Sequence, residues 1–117
     1  IHFKSVFTIN FNSNDVRVTT RVNKNDIAEV IWSTIHEGGH GLYEQGLPSN
    51  NYGLPSGEYV SLGIHESQSR VWENNIGRAK HWWNHLYPKL QAVFPNQLGE
   101  VALDTFYRAV NKVSFWL

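Results

Sequence analysis

Hydrophobic and polar positions along the chain change period twice. In DVRVTTRV (15–22), Val16, Val18, Thr20 and Val22 alternate with Arg17, Thr19 and Arg21, which predicts a half-buried strand. VFTINF (6–11) is a second strand candidate. NSND (12–15) between the two is turn chemistry, so a β-hairpin is expected over 5–22. After NKND (23–26) the spacing becomes helical, with Ile27, Val30, Ile31, Ile35 and Leu42 on one side of a helix over 26–45. Asn25 or Asp26 is placed to cap it, Glu29 follows Asp26 in capping-box fashion, and Gly46 is a natural stop. LPSNNYGLPSGEY (47–59) reads as a loop, and loops of this length inside compact domains are often functional. A second helix is expected over 61–86. Pro88 either interrupts it or opens a short segment that Pro95 ends. A last amphipathic helix over 98–113 carries Val101, Ala102, Phe106, Ala109, Val110 and Val113 on one side. The pattern predicts a mainly α fold with a small N-terminal β-hairpin, and no internal repeat.

Composition narrows the chemistry. The 117 residues suit one domain or part of one, and 41% apolar content can build a core. Lys+Arg and Asp+Glu balance at 10 each, which argues for neither nucleic acid nor an anionic membrane as partner. Without cysteine, disulfides and thiolate metal sites are excluded, and any metal must be held by His, Asp or Glu. A cysteine-free chain fits the cytosol. No apolar run is long enough to span a bilayer, and no signal peptide opens the chain. With no methionine, the chain is expected to be processed or to be a piece of something longer.

TIHEGGHGLYEQGL (34–47) holds the main candidate chemistry. His36 and His40 are four apart on a predicted helix, so their imidazoles share a face about 6 Å apart, close enough to bind one ion. Glu37 lies about 100° round the helix, where it can flank the open position of a metal as a general base. The other reading is a helix carrying two histidines satisfied by their neighbours. A catalytic zinc needs a third protein ligand and keeps a fourth place for water. GIHESQSRVWEN (63–74) offers Glu66, on a second helix beyond the loop. A His₂Glu set suits one divalent metal, zinc first, with cobalt or manganese also acceptable. Alternatively, Glu66 pairs with Arg70 one turn on.

Gly38, Gly39 and Gly41 each cost a helix about 1 kcal/mol against alanine. They imply either close packing against another backbone or a substrate, or a frayed helix end. Tyr43 is placed to face the site or to pack in the core. Glu73 can support a ligating histidine or pair with Arg70 at the surface. His81 and His85 repeat the four-residue spacing, but Trp82 and Trp83 between them favour packing over a second metal site. Trp72, Trp82, Trp83 and Trp116 are candidates for an oligomer interface.

HEGGHGLYEQGL, GIHESQSRVWEN and FYRAVNKV, preceded by DVRVTTR, together resemble the M32 metallocarboxypeptidases, the Taq carboxypeptidase family. The resemblance implies a gluzincin-like core, in which an active-site helix packs against a second, ligand-bearing helix beside a deep cleft. It implies zinc or cobalt, and removal of single C-terminal residues from peptides. His36, His40 and Glu66 match the metal ligands, and Glu37 the catalytic glutamate. His65 matches a residue at the edge of the site. The DVRVTTR strand matches a segment lining the cleft, which makes Arg17 a candidate for contact with substrate or ligands, as are Arg70 and Tyr43. The resemblance further implies a cytoplasmic enzyme, often a homodimer, with a peptide as partner and neither nucleic acid nor membrane. Family chains are several times longer. Residues 1–117 are therefore expected to be a single partial domain, the central metal-site core, with the groups that hold the substrate carboxylate elsewhere.

Three functions compete on these grounds. One is a metal-dependent carboxypeptidase and one a metal-binding core without turnover of its own. The third is another H-E-x-x-H peptidase, such as an aminopeptidase, against which the HESQSR helix argues.

Overall fold

The computed structural model of the chain describes residues 7–112. Ser5 and Val6 of the expected hairpin lie outside the described residues, as do Val113 of the expected last helix and Trp116. The chain divides into two compact units, Ile1–Asn75 and Ile76–Leu117. It is mainly helical, with one small two-stranded antiparallel sheet.

In the first unit, β1 (Phe7–Asn12) and β2 (Asp15–Thr19) pair antiparallel, with Thr8 opposite Val18 and Asn10 opposite Val16. The turn forms because the Asn12 side-chain oxygen accepts from the Asn14 N–H at 2.8 Å. A register shift between Asn10 and Asn12 ends the regular pairing. The strand stops at Thr19, short of the expected Val22, which is exposed.

Helix α1 (Ile27–Gln45) starts where Asp26 accepts the Glu29 N–H at 3.0 Å. The capping box is not closed, because the Glu29 carboxylate instead accepts from Asn23 Nδ2 at 2.9 Å. Gly46 ends the helix, its N–H donating to the Leu42 carbonyl at 3.1 Å. The expected apolar face holds over Ile27, Val30, Ile31 and Ile35 but not at Leu42, which is exposed. From residue 37 onward the buried positions are Glu37, Gly39, Gly41 and Glu44. The helix thus turns from an apolar to a polar and glycine interior halfway along.

Two short 3₁₀ turns, Ser49–Asn51 and Pro55–Gly57, order the following loop. Gly53 between them has φ +80°, a conformation that only glycine adopts cheaply. Helix α2 (Leu62–Arg70) is capped by Ser61, whose hydroxyl accepts the Ile64 N–H at 3.2 Å. It runs on into a wide π turn, Val71–Ile76.

The helix expected over 61–86 is therefore divided. The π turn spends an extra residue per turn, buried Gly77 contributes little helix propensity, and Ala79 is extended.

In the second unit, α3 (Lys80–Val93) continues through Pro88 rather than stopping there. The proline costs the helix one hydrogen bond, and packing of its neighbour Tyr87 holds the helix together across the gap. Pro95 opens a short helix, α4 (Pro95–Leu98), where its missing N–H is harmless. The last helix is shorter than expected, α5 (Leu103–Val110), because Leu98–Val101 is taken up by the end of α4 and a turn. Trp83, Tyr87 and Phe106 form the apolar core, with Phe106 4.9 Å from the Trp83 ring and 4.6 Å from the Tyr87 ring. The Tyr87 hydroxyl donates to the Val101 carbonyl at 2.8 Å, and Lys80 pairs with Asp104 at 2.6 Å. Among the described residues, no helix is long and apolar enough to cross a membrane.

Candidate metal centre

The site begins with a glycine. A Cβ on Gly39 would lie 2.6 Å from Ser69 Cα and 3.2 Å from the Gln68 carbonyl oxygen, so α1 and α2 touch backbone to backbone there. Ser69 is fully buried at the contact, with its hydroxyl turned back onto the Glu66 carbonyl at 2.7 Å. Gly41 faces the hairpin, where a Cβ would sit 3.4 Å from Val18 Cγ1, whereas Gly38 meets nothing within 4 Å. Close packing, not fraying, accounts for Gly39 and Gly41.

That approach sets the histidines of α1 opposite Glu66 of α2. Glu66 Oε2 lies 3.5 Å from His36 Nε2 and 3.4 Å from His40 Nε2. One donor atom from each of the three residues falls within 4.8 Å of the others. Among the described residues this is the one group of three or more His, Asp or Glu side chains so arranged. Donors on a tetrahedral ion with bonds of about 2.1 Å stand roughly 3.4 Å apart, so the spacing fits a divalent metal. Charge points the same way. Two imidazole lone pairs and a carboxylate oxygen converging on one point repel each other unless a cation lies among them.

The far side of each ligand is held as well. Glu73, on the π turn, places Oε2 3.0 Å from His36 Nδ1, and a carboxylate can only accept there. That leaves the His36 Nε2 lone pair facing Glu66. Glu73 also takes Arg70 Nη1 at 3.3 Å, so the two roles considered for it coexist. Arg70 Nε donates to Glu66 Oε1 at 2.8 Å, so Glu66 pairs with Arg70 through one oxygen while the other faces the histidines. For Glu66, burial works to raise the pKa. The Arg70 hydrogen bond, the electrostatic pull of His36, the Arg70 charge and the pull of His40 outweigh it and keep the carboxyl below its ordinary range. For His40, burial is the largest influence, followed by the neighbouring His65 and His36. They hold its pKa below the ordinary histidine value, which favours the neutral form a ligand needs.

Behind His40 a second set of side chains lines up. His40 Nδ1 is 2.6 Å from His65 Nδ1, and His65 Nε2 is 2.6 Å from Glu44 Oε1. Asn10 Nδ2 of β1 donates to the other Glu44 oxygen. Tyr43 packs edge-on against the His65 ring at 5.0 Å, and its hydroxyl accepts the Val60 N–H at 3.3 Å. Tyr43 thus clasps the loop and backs His65. Buried Glu37 is fixed by Thr8, whose hydroxyl is 2.8 Å from Oε2.

Glu37, His40 and Glu66 open onto a cleft of about 630 Å³ that Thr8, Tyr59 and Leu62 help to line. The hairpin strand on the cleft is β1, through Thr8 and Asn10. The DVRVTTR strand instead packs Val16 and Val18 near Gly41. Arg17 is not brought to the cluster. It pairs with Asp15 at 2.9 Å, over the Phe11 ring. His81 and His85 are exposed on α3.

Thr8, Asn10, Glu44 and Tyr59 escaped the sequence reading. One of them had a usable signal. Glu44 is one turn beyond His40 and two beyond Glu37, on the same helix face. Thr8 and Asn10 share one face of a strand by period two, but nothing in the sequence says that the face meets α1.

A model of the carboxypeptidase Taq (M32) metallopeptidase family matches residues 4–117. Thermostable carboxypeptidase 1 of Thermus thermophilus is 49% identical over 107 residues, covering 92% of this chain and 21% of the relative. Carboxypeptidase 1 of Bacillus subtilis is 45% identical over 106 residues, again 21% of the relative. The crystal structure of an M32 carboxypeptidase from Deinococcus radiodurans superposes with a TM-score of 0.90 at 45% identity, over 95% of this chain and 22% of that one. The chain spans about a fifth of the length of these relatives.

Proposed function

Because the chain belongs to the carboxypeptidase Taq (M32) metallopeptidase family, we propose that it carries the gluzincin-like catalytic core of a carboxypeptidase. This core releases C-terminal amino acids from peptides. The observation that carries the proposal is the convergence of His36 Nε2, His40 Nε2 and Glu66 Oε2 beside buried Glu37, on the wall of an open cleft. His36, His40 and Glu66 would hold one divalent metal, with zinc first by donor type. When bound, that metal supplies a Lewis acid that makes water a nucleophile near neutral pH and polarises the scissile carbonyl.

The chain's own residues do the rest. Glu37, held by Thr8 through Oε2, takes the proton of the attacking water and returns it to the leaving amine. Glu73 and Arg70 fix the orientation of His36 and Glu66. The peptide lies in the cleft between β1 and the Tyr59–Leu62 segment. A cytoplasmic location and a homodimer belong to the same proposal.

A second reading is a core that binds metal without turnover on its own. Metal analysis combined with release of amino acid from an N-blocked dipeptide separates the two. Metal with release supports the first, and metal without release the second. His36→Ala should lose the metal, and unchanged metal content would remove the site assignment. Glu37→Gln should keep the metal and lose roughly 100- to 10,000-fold in rate. Retention of full hydrolysis by that variant would sink the mechanism.

A further inference from the structure

We propose that Glu44 is a positioning residue for the metal site. Through His65, it fixes which nitrogen of His40 carries the proton and so turns the His40 Nε2 lone pair toward the metal. The proposal rests on reading His40 as a ligand, and it gives His65 and Glu44 a role that this reading leaves open.

Glu44 is 4% exposed, on the inner face of α1, and its carboxylate is acceptor-only. One oxygen is taken by the Asn10 amide, a donor on β1. The other is 2.6 Å from His65 Nε2, which must therefore be the protonated nitrogen of that ring. A neutral imidazole has one donor and one acceptor, so His65 Nδ1 presents a lone pair. His40 Nδ1 lies 2.6 Å from it and has to be the donor. His40 then carries its lone pair on Nε2, the atom 3.4 Å from Glu66 Oε2. With both rings neutral, each link has one sense, set by the acceptor-only carboxylate at the buried end. His36 reaches the same tautomer by direct contact with Glu73. The two ligands thus use different devices, a carboxylate at first hand and a carboxylate relayed through a histidine. The relay also ties the ligand helix to the hairpin through Asn10 and to α2 through His65. The edge-on rings of Tyr43 at 5.0 Å and Tyr59 at 5.3 Å hold His65 in plane.

Nitrogen-15 NMR of the metal-free protein at mildly alkaline pH reads the tautomers directly, without metal or turnover. His40 is expected to be protonated at Nδ1 and His65 at Nε2, and the opposite assignment for either ring overturns the proposal. Glu44→Gln keeps the shape but puts an amide where a pure acceptor stood. If its oxygen faces His65, its NH₂ meets the Asn10 NH₂. This variant should show mixed His40 tautomers and a zinc Kd raised roughly 10- to 100-fold, as loss of an outer partner of a ligating histidine does. Adding Asn10→Asp supplies an acceptor for that NH₂ and should restore both the tautomer and the affinity. A Glu44→Gln protein that binds zinc within twofold of the parent, or a double variant no better than the single one, refutes the relay. Should Glu44→Gln fail to fold, the tautomers of the parent protein still decide. Loss of zinc binding by His40→Ala tests the ligand assignment separately, so the two failures can be told apart.

Discussion

At the scale of single residues, the site depends on polar groups placed where they have only one useful orientation. Thr8 shows this most simply. Its hydroxyl is the side-chain donor to the Oε2 of a glutamate that is 6% exposed. Thr8→Val keeps the shape and removes that donor, leaving a buried carboxylate oxygen under-satisfied. The expected cost is about 1–3 kcal/mol in chemical denaturation. Metal content should be unchanged, because Thr8 touches none of His36, His40 and Glu66. A variant as stable as the parent would mean that water replaces the hydroxyl. Spacing alone made His36 and His40 candidates, whereas Glu66 shares the second helix with Glu73 and by spacing could equally pair with Arg70. Thr8 and Asn10 were not legible, because a threonine and an asparagine in a strand have no distinctive pattern, and their role exists only once β1 lies against α1.

At the scale of elements, the glycines of α1 divide into two kinds that the sequence presents alike. Gly39 is the contact point with α2, and Gly38 meets nothing within 4 Å. Gly38→Ala should therefore stabilise the protein by up to about 1 kcal/mol, the helix-propensity gain. Gly39→Ala should destabilise it by roughly 1–3 kcal/mol and weaken metal binding, because a Cβ 2.6 Å from Ser69 Cα forces the two ligand-bearing helices apart. Thermal melts and zinc titration of the two variants check the pair, and equal effects would contradict the contact. Strong local signals such as the Asp26 cap and the Gly46 stop read correctly from sequence. The division of 61–86 did not, because a π turn leaves no mark in hydrophobic periodicity. Pro88 misled in the other direction, since packing at Tyr87 outweighs a local preference that would end the helix.

At the scale of the whole chain, the two units are built differently. The large buried apolar side chains among the described residues, Trp83, Tyr87 and Phe106, all belong to the second unit. The first unit buries Glu37, Gly39, Gly41, Glu44 and Ser69 instead. Such an interior gains little from the hydrophobic effect and has much to gain from a cation. Removing metal with a chelator should therefore loosen the first unit selectively. Hydrogen exchange should accelerate in α1 and α2 and stay unchanged in α3 and α5. At a free metal concentration 100 times Kd, the stabilisation lost is about 2.7 kcal/mol. Uniform acceleration across all four helices would show that metal stabilises the chain as one cooperative block.

The Gly39–Ser69 contact also has a mechanical consequence. Ser69 lies three residues from Glu66, about 4.5 Å along the axis of α2, so the contact acts as a pivot with a very short lever. A swing of about 10° between the helices carries Glu66 through only ~0.8 Å relative to the histidines, whereas the far ends of the same helices sweep much further. Thermal flexing of the two helices is thus spent at their tips, and the spacing that one small ion has to match is kept where the lever is shortest.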